Sequence, residues 1–202
     1  METITNAVVD FVYLGSWFDS RYKERLGDRF VSFKMAIGMY LQRDGRVIVE
    51  TGSLRSPGNW IGDGGSTYVF SEVLAHYGGK LFSCDLDPVV IQTARDTVSG
   101  LGVDVVFECG DSLRFLEGFS QEIDLLYLDS FDCSPNGSSV AAQEHNANEF
   151  VMAEDKLSRD ALVVLDDNHY SNGGKTFKTK RLLLERGWTC LFDGRQSVWL
   201  RT

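Results

Sequence analysis

What the sequence has little of narrows its reading first. Its 202 residues include only three prolines and four cysteines. Cys84, Cys109, Cys133 and Cys190 lie far apart with no Cys-x-x-Cys pair, so neither a zinc knuckle nor a disulfide framework is expected, and a reducing cytoplasm is the simplest setting. No apolar run approaches bilayer-spanning length, and the stretch from Met1 carries Glu2 and Asp10 without a basic-then-apolar signal pattern. A membrane partner is therefore not expected. Basic charge is scarce too: 20 Lys+Arg stand against 29 Asp+Glu, a formal charge of −9, and no Lys/Arg-rich run offsets it locally. Such a surface repels a phosphate backbone, which argues against nucleic acid as substrate or partner. Homo-oligomerisation is left open.

What is present suits one globular domain, since a chain of this length with 43% hydrophobic residues buries a core that needs no covalent staple. From Arg46 onward, short β-branched runs alternate with longer segments of helical pattern, as parallel βαβ units require. Strands are expected over 47–49, 81–84, 103–107, 123–128 and 161–165, and helices over 66–77, 88–99, 112–117, 138–156 and 175–186. Asp87-Pro88 supplies a cap and a first-turn proline for the second of these helices. Segments 188–192 and 196–201, separated by Asp193-Gly194-Arg195, read as a closing hairpin, which makes seven strands in an open, doubly wound, mostly parallel sheet with an antiparallel last strand. Spacing alone does not set the strand order. Residues 1–45 differ in character: Phe11, Tyr13, Trp17, Phe18, Tyr22, Phe30, Phe33 and Tyr40 make an aromatic segment, read as a helical cover packed on the sheet rather than a substrate-gating lid. The remaining 46–202 form the α/β unit.

Chemistry concentrates where these strands end. After the first strand come Glu50-Thr51-Gly52-Ser53 and then, past Arg55, Asn59 and Trp60, Gly62-Asp63-Gly64-Gly65-Ser66-Thr67 at the entrance to a helix. Glycines at a strand-to-helix turn let the backbone approach a ligand, and the helix N-terminus favours an anionic group. After the second strand, Asp85-Leu86-Asp87 puts a carboxylate roughly 20 residues beyond those glycines, where a ribose diol would be gripped. After the third, Gly110-Asp111-Ser112 places an acidic residue able to accept from an adenine amino group while capping the next helix. The fourth and fifth strands end in Asp129-Ser130-Phe131-Asp132 and Asp166-Asp167-Asn168-His169. Carboxylates so concentrated repel one another unless a cation lies between them, and a divalent ion such as magnesium is the natural candidate.

Taken together, Glu50-Thr51-Gly52 with Gly62-Asp63-Gly64, then Asp85, Asp111 and Asp129, resemble the motifs of the class I S-adenosylmethionine-dependent methyltransferases over residues 45 to 202. The resemblance implies a Rossmann-like α/β fold and S-adenosylmethionine as cofactor. Gly52, Gly62 and Gly64 would border its methionine moiety, Asp85 would hold the ribose hydroxyls, and Asp111 with Ser112 would meet the adenine. Glu50, Ser53, Ser66, Leu86 and Asp129 complete the expected cofactor site. One departure is the nine residues Ser53 to Ile61 between Gly52 and Gly62, where the family keeps the glycines close together. The rim is also similar to that of metal-dependent O-methyltransferases, which implies Asp129, Asp167 and Asn168 as ligands of a divalent metal, with magnesium expected. Catechol-type enzymes often carry a lysine shortly after the first of these aspartates. Here the stretch reads Ser130, Phe131, Asp132, so a general base must come from elsewhere.

His145, on the helix after that loop, is the leading candidate for the base and His169 the second, with Asp129 beside them in the catalytic set and His76 read as structural. The expected activity is methyl transfer to the oxygen of a small hydroxylated molecule with metal assistance. Two alternatives stay open: a nicotinamide-dependent oxidoreductase, since the glycine turn and Asp85 would also suit a dinucleotide, and a protein that binds the cofactor without catalysis.

Overall fold

The apolar runs form strands because β-branched and leucine side chains can be covered on both faces of a central sheet. In the computed structural model, which describes residues 14–133, 139–170 and 172–201, β1 (Val47–Thr51), β2 (Lys80–Asp85), β3 (Val105–Cys109), β4 (Ile123–Leu128), β5 (Leu157–Leu165), β6 (Thr189–Asp193) and β7 (Ser197–Leu200) form one sheet. Their order is β3-β2-β1-β4-β5-β7-β6. The first five strands pair in parallel, and β7 enters antiparallel between β5 and β6. The chain moves outward from β1 to β3 and then returns to lay β4 against the free side of β1. That reversal opens a crevice at the carboxyl ends of β1 and β4, the usual ligand position in an open α/β sheet.

The helices are α1 (Gly15–Leu26), α2 (Phe30–Gln42), the single turn α3 (Trp60–Asp63), α4 (Ser66–Tyr77), α5 (Pro88–Val98), α6 (Ser112–Gly118), α7 (Val140–Ala153) and α8 (Phe177–Glu185). Asp87, Asp111 and Ser139 cap α5, α6 and α7 through their side-chain oxygens. β3 starts two residues later than its apolar run, at Val105. α8 begins at Phe177 rather than at 175, because Gly173 and Gly174 hold left-handed conformations (φ 81° and 66°) that fold the preceding segment back onto the end of β5. The helix expected over 138–156 is α7 followed by a 3-10 turn, and Ser138 lies outside the described residues, as do Phe11 and Tyr13.

Alternation along the strands divides the core between the two faces of the sheet. Ile48, Leu125, Tyr127, Leu162 and Val164 pack against Phe18, Tyr22, Phe33, Ile37 and Tyr40 of α1 and α2 and against Val69, Phe70 and Val73 of α4. Val49, Leu126, Leu128, Val163 and Leu165 face the other way, onto Leu116, Phe150, Leu183 and Trp188. The aromatic N-terminal helices thus share one core with the sheet. No helix among the described residues is long and apolar enough to cross a membrane.

Candidate functional site

The strand ends converge on a cleft of about 420 Å³ lined by Gly52, Ser53 and Ser66, by Asp85 and Leu86, by Asp111 and Ser112, and by Asp129, Phe131, Asp132 and His145. Gly52 is required at its floor: φ is 84°, and a Cβ there would lie 2.7 Å from the backbone oxygen of Asp129. The Asp85 carboxylate is fixed from two sides, Oδ2 accepting from the Ser53 amide (2.9 Å) and Oδ1 from the Asp87 amide (2.9 Å). Each oxygen keeps lone pairs for a hydroxyl donor. Glu50 lies fully buried beneath the floor instead of lining it. Its Oε1 accepts from Ser83 Oγ (2.6 Å), and Ser83 Oγ in turn lies 2.6 Å from Ser53 Oγ, a chain of hydroxyls that ends in the cleft. Burial pushes the Glu50 carboxyl up to about 7.

At the mouth, α7 presents His145. Its Nε2 lies 2.9 Å from Ser112 Oγ and 3.4 Å from Oε1 of Glu149, one helical turn on, and that same oxygen accepts from Ser130 Oγ at 2.5 Å. The hydrogen bond to Glu149 raises the imidazole above its ordinary value, against the lowering effect of burial. Glu149 is a fully buried carboxylate on the inner face of α7. His169 is exposed, rests against Tyr170 at 4.4 Å between ring centroids, and does not line the cleft. His76 packs under Trp17, its ring stacked at 4.7 Å.

The carboxylates at the end of β5 do have cations between them, and both cations are side chains. Arg29, which follows α1 and is almost completely buried, donates from Nε to Asp166 Oδ2 (2.7 Å) and from one terminal nitrogen to the carbonyl of Ile61 (2.9 Å). Tyr127 and Gln196 donate to the same Asp166 oxygen. Lys175, buried to 1% exposure, places Nζ 2.7 Å from Asp129 Oδ1, 3.1 Å from the Asp129 backbone oxygen and 3.3 Å from Asp167 Oδ2. These carboxylates hold the ammonium well above its ordinary value despite its burial, while burial lifts Asp129 above the carboxylate range. Asn168 is turned away: its carbonyl accepts from Thr176 Oγ1 and its amide donates to Asp193 (3.3 Å).

This arrangement corrects the expected metal centre of Asp129, Asp167 and Asn168. An ammonium already occupies the space between the two carboxylates, and the asparagine oxygen is engaged elsewhere. Magnesium needs oxygens converging at about 2.0–2.1 Å in near-octahedral array, which these residues do not offer. No group of three His, Cys, Asp or Glu side chains among the described residues could hold a metal ion.

The insertion after Gly52 mostly folds on the protein. Trp60 packs between Tyr22 (5.9 Å) and Tyr68 (5.8 Å), and the Arg25 guanidinium lies 5.3 Å above its ring. Gly62 sits in the turn capped by Asn59, and Gly64 lies against the Arg29 side chain, so neither lines the cleft. Arg55 does reach it. Its guanidinium spans Asp63 (3.2 Å) and Asp132 (2.8 Å), tying the insertion to the loop after β4. Of the expected cofactor residues, Gly52, Ser53, Ser66, Asp85, Leu86, Asp111, Ser112 and Asp129 are gathered around one cavity. Lys175, Arg29 and Glu149 carry no local signature in the sequence.

No protein-family model matches the sequence, and no curated protein matches it. Solved structures share its fold. The SAH-bound methyltransferase PaMTH1 of Podospora anserina superposes with a TM-score of 0.62 at 16% identity, covering 98% of this chain and 88% of that one. The O-methyltransferase NovP gives 0.66 at 13% identity over 87% of this chain and 80% of its own. A spermidine synthase from Thermotoga maritima gives 0.55 at 17%, over 86% and 59% respectively. The chain has the Rossmann-like fold of the class I S-adenosylmethionine-dependent methyltransferases.

Proposed function

We propose that the protein is an S-adenosylmethionine-dependent methyltransferase that methylates an oxygen of a small hydroxylated molecule. The observation that carries this reading is Asp85: a carboxylate at the end of β2, held by two backbone amides beside a turn at Gly52 that admits no side chain. It fits a ribose diol, with the rest of the cofactor running along the cleft. The insertion of antiparallel β7 between β5 and β6 departs from the 3-2-1-4-5-6 order of dinucleotide-binding domains, which weighs against the nicotinamide alternative.

Bound S-adenosylmethionine would supply a methyl group attached to a positively charged sulfur. The protein's task is then to align an acceptor oxygen with that carbon, to exclude water and to receive the acceptor's proton. Asp85 holds the ribose, Asp111 and Ser112 meet the adenine, and the predominantly acidic rim favours a cation. His145 is hydrogen-bonded to Ser112, which sets it toward the adenine end, whereas the Asp129 backbone lies against the Gly52 turn and the residue lines the cleft there, at the methionine end. Of these two, Asp129 is the better placed to orient an acceptor hydroxyl. No step is assigned to a divalent ion, because Lys175 stands where it would bind. The four cysteines are unpaired, in keeping with a reducing cytoplasm as the proposed location.

Titration calorimetry tests the reading. S-adenosylhomocysteine is expected to bind and NAD is not. Asp85→Ala should weaken binding by about 10- to 100-fold, the worth of a charge-assisted hydrogen bond, with circular dichroism unchanged. Asp129→Asn should lower kcat while leaving S-adenosylhomocysteine affinity intact, and His145→Ala should lower the affinity. Absence of affinity for both S-adenosylmethionine and S-adenosylhomocysteine overturns the assignment. Binding without turnover on any of a panel of phenols and sugars would leave a cofactor-holding protein.

A further inference from the structure

Three carboxylates, Asp129, Asp166 and Asp167, meet at the carboxyl ends of β4 and β5, where the sequence pattern calls for a divalent ion. The chain fills that place from a loop at 173–176, just before α8 begins at Phe177. Gly173 and Gly174, both at positive φ, turn the backbone so sharply that a Cβ on Gly174 would lie 1.7 Å from the Asp167 carbonyl oxygen. The turn is pinned from two other elements: Gln143 of α7 donates to the Gly174 carbonyl at 3.1 Å, and Thr176 donates to Asn168. Its product is the placement of Lys175, whose ammonium has three oxygen partners and a side chain 1% exposed. An ammonium has three N–H groups. Two hydrogen bonds to Asp129 and the ion pair with Asp167 engage the ammonium at the rim, and burial keeps it from solvent.

We propose that Lys175 is a built-in replacement for a divalent cation: a positioning residue that neutralises the Asp129–Asp167 pair and fixes Asp129 against the cleft, so that the chain binds no metal there. The second cation, Arg29, serves Asp166 and lies 3.9 Å from Asp167, which leaves Lys175 as the close cationic partner of Asp129 among the described residues. The donor set agrees with this assignment. The third expected ligand, Asn168, spends its carbonyl on Thr176, the residue after the lysine, so the loop that brings the ammonium also removes an oxygen an ion would need.

What Asp129 is fixed for rests on the methyl-transfer reading, but the charge replacement does not, and the two are tested separately by Mn²⁺ and by S-adenosylhomocysteine. Mn²⁺ is titrated into the full-length protein, free of other metals, and followed by electron paramagnetic resonance and by thermal unfolding. The wild type is expected to bind no Mn²⁺ at this rim and to show no change in Tm. Lys175→Met opens the space and leaves the carboxylates without a counter-charge, so it should gain one Mn²⁺ site and a Tm rise of about 3–6 °C at tenfold excess over Kd. The double variant Lys175→Met/Asp167→Asn should lose that gain. A wild-type protein that binds one Mn²⁺ and loses it on Asp167→Asn overturns the proposal, and so does a folded Lys175→Met protein that binds none. Should Lys175→Met fail to fold without metal, its recovery on refolding with Mn²⁺ supports the proposal and failure to recover counts against it, with the wild-type titration standing by itself.

Discussion

Glu50 shows how a single position joins the chemistry of the floor to stability. It is fully buried, its Oε2 has no hydrogen-bond partner, and its carboxyl is lifted from 4.5 to about 7, so the folded protein keeps a proton that the unfolded chain releases. Its stabilising contribution is complete below about pH 4.5 and disappears as the pH rises through about 7. Relative to Glu50→Gln, the wild type should therefore lose about 3 kcal/mol of unfolding free energy across that window, read from urea midpoints at several pH values. A difference that does not vary with pH would remove Glu50 from the titrating groups. Residues of this sort were legible in part. Gly52, Asp85 and Asp111 announce themselves because their role is written within a few positions of a strand end, and the cleft gathers them. Lys175 does not: a lysine after two glycines reads as the start of a helix, and nothing nearby in the sequence points to Asp129, 46 positions earlier.

Elements were read more securely than their joints. The periodicity of 66–77 and 123–128 matches α4 and β4 to the residue, since long regular patterns have one low-energy solution. Boundaries moved where side chains were recruited elsewhere, as at α8, or where pairing slips, as at β5, which starts at Leu157 rather than at 161 and whose register against β4 shifts between Ile123 and Leu125. The joint that matters most is Arg29, between α1 and α2, because it links the N-terminal helices, the insertion at Ile61 and the end of β5 across 137 positions of sequence. Removing one partner of a buried ion pair leaves the other charge uncompensated. Arg29→Met should accordingly destabilise the protein by about 3–5 kcal/mol, seen as a lower urea midpoint. A loss below about 1 kcal/mol, the level of a surface pair, would show that Asp166 is satisfied by Tyr127 and Gln196 without it.

For the molecule as a whole, the aromatic segment read as a helical cover packed on the sheet shares the sheet's core from Leu14 onward. Without it, Ile48, Leu125, Leu162 and Val164 lose the partners that α1 and α2 supply on one face and keep only those of α4. A chain comprising 46–202 is thus expected not to fold, and the full chain should unfold in one step, with tryptophan fluorescence and far-ultraviolet circular dichroism giving the same midpoint. A soluble, cooperatively folded 46–202 fragment would contradict this. The need for positive charge among the rim carboxylates was legible from the strand ends alone. Its source was not, because the choice between an ion and a side chain depends on how a distant loop turns.

That choice changes how the rim responds to its surroundings. A bound ion obeys mass action, so its site empties on dilution and fills with whichever ion is abundant. The amino group of Lys175 arrives at the moment of folding, one per chain, and cannot be exchanged. Full occupancy is then a property of the fold, independent of the medium in which the protein works.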